Sequence, residues 1–312
     1  MNSGVWARVI RTGPENAEGL VRIQDGRFAT EIADKRLDPI SLAADPKGGL
    51  WLGLRKGGLA RYRNSQLQIF PFKNTNAEVL QVLAESDGSV LALTTDGLIE
   101  RRGETQYALD HHNGLPCDRT YAIITDKYSN LWLHTECGLI SIKSDDLHQW
   151  RRHPDLKVRF DLFDMYDGAQ PYSAAFRPRA TRSNDGRLWF ANGTVAQMID
   201  PDRLFRNSIL PPVHIEDVIA DQKSYSTRNG LRLPALTRDL EIDYTALSFV
   251  VPQKVQFRYK LEGHDREWQD PQTRRQAFLR FLPALEAKAS PARSDPVRAI
   301  ALTRGSSIRA PD

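Results

Sequence analysis

The chain has 312 residues, of which 40 % are hydrophobic, enough to build buried cores in one or two domains. No apolar run approaches the roughly 18 residues of a membrane helix, and Met1-Asn2-Ser3-Gly4-Val5-Trp6 has neither the basic start nor the apolar stretch of an export signal. The net charge of +4 is local: residues 271–312 hold eight basic and three acidic side chains, which leaves the remainder at −1, and this tail lacks the interleaved aromatics of a nucleic-acid surface, so no nucleic-acid partner is expected.

In chain order, Gly4-Val5-Trp6 and Gly19-Leu20-Val21-Arg22-Ile23 read as the back part of one unit, as if the chain begins inside it. Ser41 to Phe70 then reads as four short strands. Asp45-Pro46-Lys47-Gly48-Gly49 supplies turn chemistry, Leu50-Trp51-Leu52-Gly53-Leu54 is an apolar run of strand length, and Lys56-Gly57-Gly58 turns the chain again. Leu59-Ala60-Arg61-Tyr62 and Leu67-Gln68-Ile69-Phe70 alternate with the period of half-buried strands. The plan recurs at Asp87-Gly88-Ser89-Val90-Leu91, at Asn130-Leu131-Trp132 and at Asp185-Gly186-Arg187-Leu188-Trp189. Trp51 to Leu91 is 40 residues and Leu91 to Trp132 is 41, whereas the next interval is longer, with an insertion expected around Leu156 to Pro178. Four strands per period of this length mean propeller blades, since an ordinary β-sandwich would not repeat one mark four times. About five blades are expected, the first incomplete. Trp51, Trp132 and Trp189 occupy one position of the repeat and are expected to fill the gap to the next blade. Cys117 and Cys137 are expected in loops of one blade, as two free thiols or, if the protein is exported, as a pair, which the spacing does not decide.

Ile209-Leu210-Pro211-Pro212 favours an extended linker. After it the texture changes to longer alternating strands: Val213 to Ile219, Leu240 to Phe249, and Val255 to Gly263 with Val255, Phe257, Tyr259 and Leu261 inward. This is an antiparallel sandwich pattern of the immunoglobulin or fibronectin type.

Here a resemblance becomes specific. The D-x-x-G-x-L-W and G-L marks look like the regulator-propeller repeats of bacterial two-component sensors. L-E-I-D-Y-T-A-L-S-F, F-R-Y-K-L-E-G-H-D-R-E-W and T-R-R-Q-A-F resemble the three-tyrosine domain that follows those propellers, with Tyr244 and Tyr259 on two of its tyrosines. The resemblance spans about residues 4 to 280 and implies an all-β chain: a partial β-propeller over 1–208, then an incomplete immunoglobulin-like sandwich over 209–283. It implies an extracytoplasmic sensor that binds a small ligand, such as a saccharide, at the propeller mouth and forms a homodimer through the Ig-like domain. A membrane helix and a histidine kinase would follow downstream. This chain departs from the pattern after Phe278, where Leu279-Arg280-Phe281-Leu282-Pro283 leads into an Ala/Arg/Ser/Pro-rich tail rather than a Pro-Gly turn and a last strand. Residues 284–312 are expected to be loosely attached or disordered, the sandwich to keep an open edge, and the change of texture to mark a shifted reading frame or a gene remnant.

No G-x-S-x-G, H-E-x-x-H, phosphate loop or kinase signature is present, so no catalytic residue, cofactor or metal is expected. His111 and His112 are adjacent, so on a strand they would face opposite ways. In a propeller the loops entering each innermost strand and the loops between second and third strands gather on one face. That face would hold Arg55 and Lys56, Asn76 and Glu78, Arg119 and Tyr121, His134 and Glu136, Tyr172 and Asn192, a mixed polar ring suited to a small ligand. Arg55, Arg119, Tyr121, His134, Glu136 and Tyr172 are the candidate ligand-binding residues. Two other readings are a propeller lyase of the streptogramin-inactivating sort, for which only His134 with Glu136 offers a His–acid pair, and a scaffold for protein partners.

Overall fold

The computed structural model describes residues 5–10, 18–32, 37–73, 75–204, 211–226, 231, 233–234, 237–247, 255–260 and 265–280. The expected tail over 284–312 and the inward Leu261 lie outside these residues. The chain divides into two compact units, Met1–Leu204 and Phe205–Asp312.

The described residues of the first unit form five antiparallel sheets in succession. The first holds β1 (Val5–Ile10), β2 (Glu18–Gln24) and β3 (Arg27–Ile32). The second holds β4 (Pro39–Ala44), β5 (Leu50–Leu54), β6 (Leu59–Arg63) and β7 (Gln66–Phe70), each paired with the next in sequence. The third repeats this with β8 (Val79–Ala84), β9 (Val90–Thr94), β10 (Gly97–Arg102) and β11 (Thr105–Leu109). The fourth has β12 (Thr120–Thr125), β13 (Leu131–Thr135), β14 (Gly138–Ile142) and β15 (Asp161–Phe163), with the helix α1 (Ser144–Arg152) before its last strand. The fifth has β16 (Ala180–Arg182), β17 (Leu188–Ala191) and β18 (Ala196–Ile199).

One turn closes the first hairpin of the second to fifth sheets. Asp45, Glu85, Asp126 and Ser183 donate their N–H to the carbonyls of Gly49, Ser89, Asn130 and Arg187, at 2.9–3.1 Å. The fourth residue of each turn is left-handed: Gly48 (φ 91°), Gly88 (93°), Ser129 (61°) and Gly186 (88°). The Asp-Gly marks are therefore a backbone requirement, met at Ser129 by a residue that bears the strain.

First strands lie against one another, β8 against both β4 and β12, and β12 against β16, so the sheets fan out from them as blades. Successive blades bury apolar clusters between them: Trp51 against Val79, Val82, Val90 and Ala92 of the next blade, and Trp132 against Leu188 and Phe190. Trp189 departs from the expectation. No described blade follows its sheet, so its indole is 37 % exposed, opposite the exposed Met198 of the neighbouring strand.

The extra length of the fourth blade begins earlier than expected. Ser144-Asp145-Asp146 opens α1 with two carboxylates where the helix dipole favours them, and Leu147 and Trp150, three apart, are buried on one side. The blade's fourth strand, β15, falls within the range read as insertion. From α1, Arg151 Nε reaches the fully buried Glu100 of β10 at 2.8 Å, and Arg102 of the same strand donates to the Arg151 carbonyl at 2.9 Å, so both contacts tie the helix to the neighbouring blade. Cys117 and Cys137 are joined as a disulfide, Cα–Cα 6.3 Å, rather than free. The approach to β12 passes over the β13–β14 turn, a proximity that a 20-residue spacing does not reveal.

The second unit contains β19 (Val213–Ala220), β20 (Lys223–Tyr225), β21 (Asp239–Ala246), β22 (Phe257–Tyr259), β23 (Gln269–Gln272) and β24 (Gln276–Arg280). Four strands form a sheet in the order β20-β19-β21-β24, and β22 pairs with β23 in a second. Both sheets feed one core of Val218, Leu240, Ile242, Tyr244, Phe257 and Ala277, which is the sandwich arrangement. Tyr244 packs on Phe257 at 4.9 Å and donates its hydroxyl to the Arg274 carbonyl at 3.1 Å, and burial pushes its pKa up to about 12.

Candidate functional site: the rim of the blades

In three consecutive blades the residue after the second strand donates its N–H to the residue before the first: Arg55 to Asp38 at 2.9 Å, Thr95 to Glu78 at 3.1 Å, and Glu136 to Arg119 at 3.0 Å. These pairs place first-strand entries beside second-strand exits along one rim, as the repeat implied. The hairpin after β5 also comes close to Asn76: a Cβ on Gly57 would lie 2.7 Å from the Asn76 Cα, so Lys56 and Asn76 share this edge.

The candidate side chains divide by environment. Arg55 is committed to ion pairs, with Asp38 at 2.8 Å in its own blade and Glu78 at 3.4 Å in the next. Arg119 and Glu136 are exposed and, among the described residues, neither side chain has an ion-pair partner. Tyr121 is half-buried, its carbonyl accepting from Arg179 Nη1 at 3.3 Å and its ring meeting the edge of His134 at 5.4 Å. Tyr172 is 60 % exposed and donates its N–H to the Gln170 carbonyl. Asn192 is buried, its Oδ1 accepting from the N–H groups of Thr194 and Val195, a turn-forming role.

His134 lies under this surface rather than on it. It is fully buried between Tyr121 and Phe190, and its Nε2 faces the Gln170 carbonyl at 3.2 Å. A carbonyl only accepts, so Nε2 carries the proton and Nδ1 presents a lone pair that has no partner. Burial, and then the nearby Arg179 charge, hold its pKa below the ordinary imidazole value, while the Gln170 carbonyl opposes them. Glu136 faces solvent, so the two do not form a His–acid pair.

Sequence reading missed Asp38, Gln170 and Arg179 as the groups that hold the rim residues. It also separated His111 from His112. The pair sits on a 3-10 turn, not a strand, and the ring centroids lie 4.0 Å apart with the planes tilted by 36°. Asp110, whose side chain accepts from the His112 N–H, could have signalled that turn. A shallow polar hollow of about 170 Å³ lined by Arg61, Arg63, Asn64, Gln66 and Gln68 lies on the second blade, below the roughly 300–1,000 Å³ of small-molecule sites.

No protein-family model matches the chain. Over 276 residues it is 21 % identical to a protein described as histidine kinase P4 of Formosa agariphila, spanning 80 % of this chain and 18 % of that one. Among solved structures it is similar to the extracellular domain of a hybrid two component system from B. thetaiotaomicron, with a TM-score of 0.66, 18 % identity, and coverage of 88 % of this chain and 40 % of that one. It also matches virginiamycin B lyase from Staphylococcus aureus over 53 % of each chain, at 16 % identity and a TM-score of 0.37. The chain thus spans less than half of the histidine kinase and of the two-component domain. Among the described residues no helix is long and apolar enough to cross a membrane.

Proposed function

We propose that this chain is the extracytoplasmic, ligand-sensing portion of a two-component signalling protein and acts by binding rather than by catalysis. The observation that carries the reading is the fold match over 88 % of the chain to the extracellular domain of a hybrid two-component system. The kinase-named relative found by sequence supports it independently. The ligand is a small polar molecule of the saccharide class. Exposed Tyr172 offers an apolar face, and Arg119 and Glu136 offer an unpaired donor group and an unpaired acceptor group on the same rim. Binding there shifts the packing of neighbouring blades, and the sandwich, as a dimer, passes the shift to a membrane-linked kinase.

The test is titration calorimetry of the purified chain against a panel of oligosaccharides, with the ligand recovered and weighed by mass spectrometry. Saturable binding that leaves the ligand intact, and that R119A and Y172A weaken without lowering the melting temperature, is expected. A ligand recovered as cleaved or eliminated product would overturn the reading in favour of a lyase. Binding undisturbed by both changes would move the site off the rim.

A further inference from the structure

The loop that enters β12 carries a second arrangement with its own chemistry. His111 Nδ1 lies 2.8 Å from Asp118 Oδ2, and His112 Nδ1 lies 3.0 Å from Asp110 Oδ1. A carboxylate only accepts, so both Nδ1 atoms carry protons and both Nε2 atoms are left with lone pairs. Neither Nε2 has a protein partner among the described residues. An Nδ1–H held by a carboxylate is the arrangement that orients a metal-ligating histidine and raises its basicity. Donor atoms of Asp110, His111 and His112 all fall within 4.8 Å of one another.

The loop is held in place around them. Buried Asn113 donates its side-chain amide to the Pro154 and Leu156 carbonyls at 2.6 and 3.1 Å, its own carbonyl accepts from Val158 N–H at 2.8 Å, and the Cys117–Cys137 disulfide fixes the other end. The two imidazoles are exposed and can rotate on this fixed base.

We propose that His111 and His112 bind a divalent transition ion, zinc above all, with Asp110 and Asp118 as carboxylate partners and water in the open positions. Tetrahedral metal–nitrogen bonds of about 2.0–2.1 Å place donors roughly 3.4 Å apart, so the exposed rings turn inward from the present spacing to close the cluster. Paired imidazoles select zinc, nickel or copper over magnesium or calcium, which prefer all-oxygen shells. The site sits on the connection that ends in Arg119, so occupancy stiffens the entry to the rim. It does not depend on the sensor reading.

Titration of the full, oxidised chain with zinc chloride, and separately with magnesium chloride, tests this. One saturable zinc site and no comparable magnesium site are expected. H111A and H112A should each abolish it, and D118N should weaken it about tenfold. H148A should bind as the parent does. Melting curves taken with and without zinc should show a rise that the H111A H112A chain lacks. The proposal fails if the parent shows no saturable zinc binding, if the H111A H112A chain binds unchanged, or if loss of His148 removes the binding instead.

Discussion

The indole Nε1–H of Trp132 donates to Asp126 Oδ2 at 2.9 Å, and both side chains are buried. The same carboxylate accepts from the backbone N–H groups of Tyr128 and Asn130 and from the Asn130 side-chain amide, at 2.8–2.9 Å. One group thus shapes the turn between β12 and β13 and anchors the aromatic that seals the next blade. D126A leaves a buried indole donor unpaired and the turn without its brace, and should cost about 2–4 kcal/mol, the unsatisfied buried donor alone contributing roughly 1–3. Urea unfolding measures it. A cost within the roughly 0.5 kcal/mol of an ordinary surface change would show that the turn holds without the carboxylate.

That relationship marks where sequence reading succeeds and where it stops. Asp-Gly turns and apolar runs at a period near 40 residues are backbone and burial requirements, so they were legible as blades. The Asp126 contact was not, because the second and third blades answer the same need differently: Asp45 pairs with Arg61 at 2.7 Å, and the third blade has Glu85 in place of the aspartate and Leu91 in place of the tryptophan. The topology of the rim was legible, since it follows from strand order alone. Whether a rim residue faces out depends on what packs over it. His134 and Glu136 are two apart, yet one is buried under Tyr121 and Gln170 and the other is in solvent. The disulfide and the His111–His112 contact join groups through loop conformations that no periodicity encodes.

His134 makes the stability of the first unit depend on pH. Burial holds its folded pKa below 6.5, so the folded state prefers the neutral ring and the unfolded chain takes up the proton first as pH falls. Its contribution is complete above about pH 6.5 and is lost as pH falls toward the lowered folded value. Denaturant midpoints measured from about pH 8 down to about pH 5 should therefore fall. H134Q, whose side-chain amide can donate to the Gln170 carbonyl without titrating, should show a flatter profile. An equally steep loss in that variant would assign the effect to other groups.

Two equivalent glycines should respond differently to alanine. Gly97 and Gly138 both open a third strand with left-handed backbone, φ 127° and 131°. A Cβ on Gly97 would meet nothing within 4 Å, whereas one on Gly138 would lie 2.2 Å from the Phe163 carbonyl oxygen, where β15 returns. G97A carries conformational strain alone, of order 1–3 kcal/mol. G138A adds an overlap with backbone that no rotamer relieves, of order 1–3 kcal/mol more. Melting temperatures of the two single variants decide it, and equal losses would mean that the fourth strand yields readily.

Trp132 and Trp189 hold the same place in successive blades but not the same environment. Trp132 is 1 % exposed, stacks on Phe163 at 5.7 Å and packs against Leu188 and Phe190 of the fifth blade. Trp189 is 37 % exposed, and its Nε1–H makes one long bond of 3.3 Å to Ser183 Oγ. Truncating a buried tryptophan removes its transfer energy and leaves a cavity, about 3–5 kcal/mol for an alanine. A side chain lying on an open sheet face loses far less, since much of its surface is already in water. W132A should therefore lower the stability of the first unit by about 3–5 kcal/mol. W189A should cost about 1 kcal/mol or less, near the ordinary surface range. Paired denaturation of the two variants, followed by far-ultraviolet circular dichroism so that loss of the indole does not remove the signal, makes the comparison direct. A W189A cost equal to that of W132A would show that the face of the fifth blade is covered in solution, and the exposure assigned to Trp189 would be wrong.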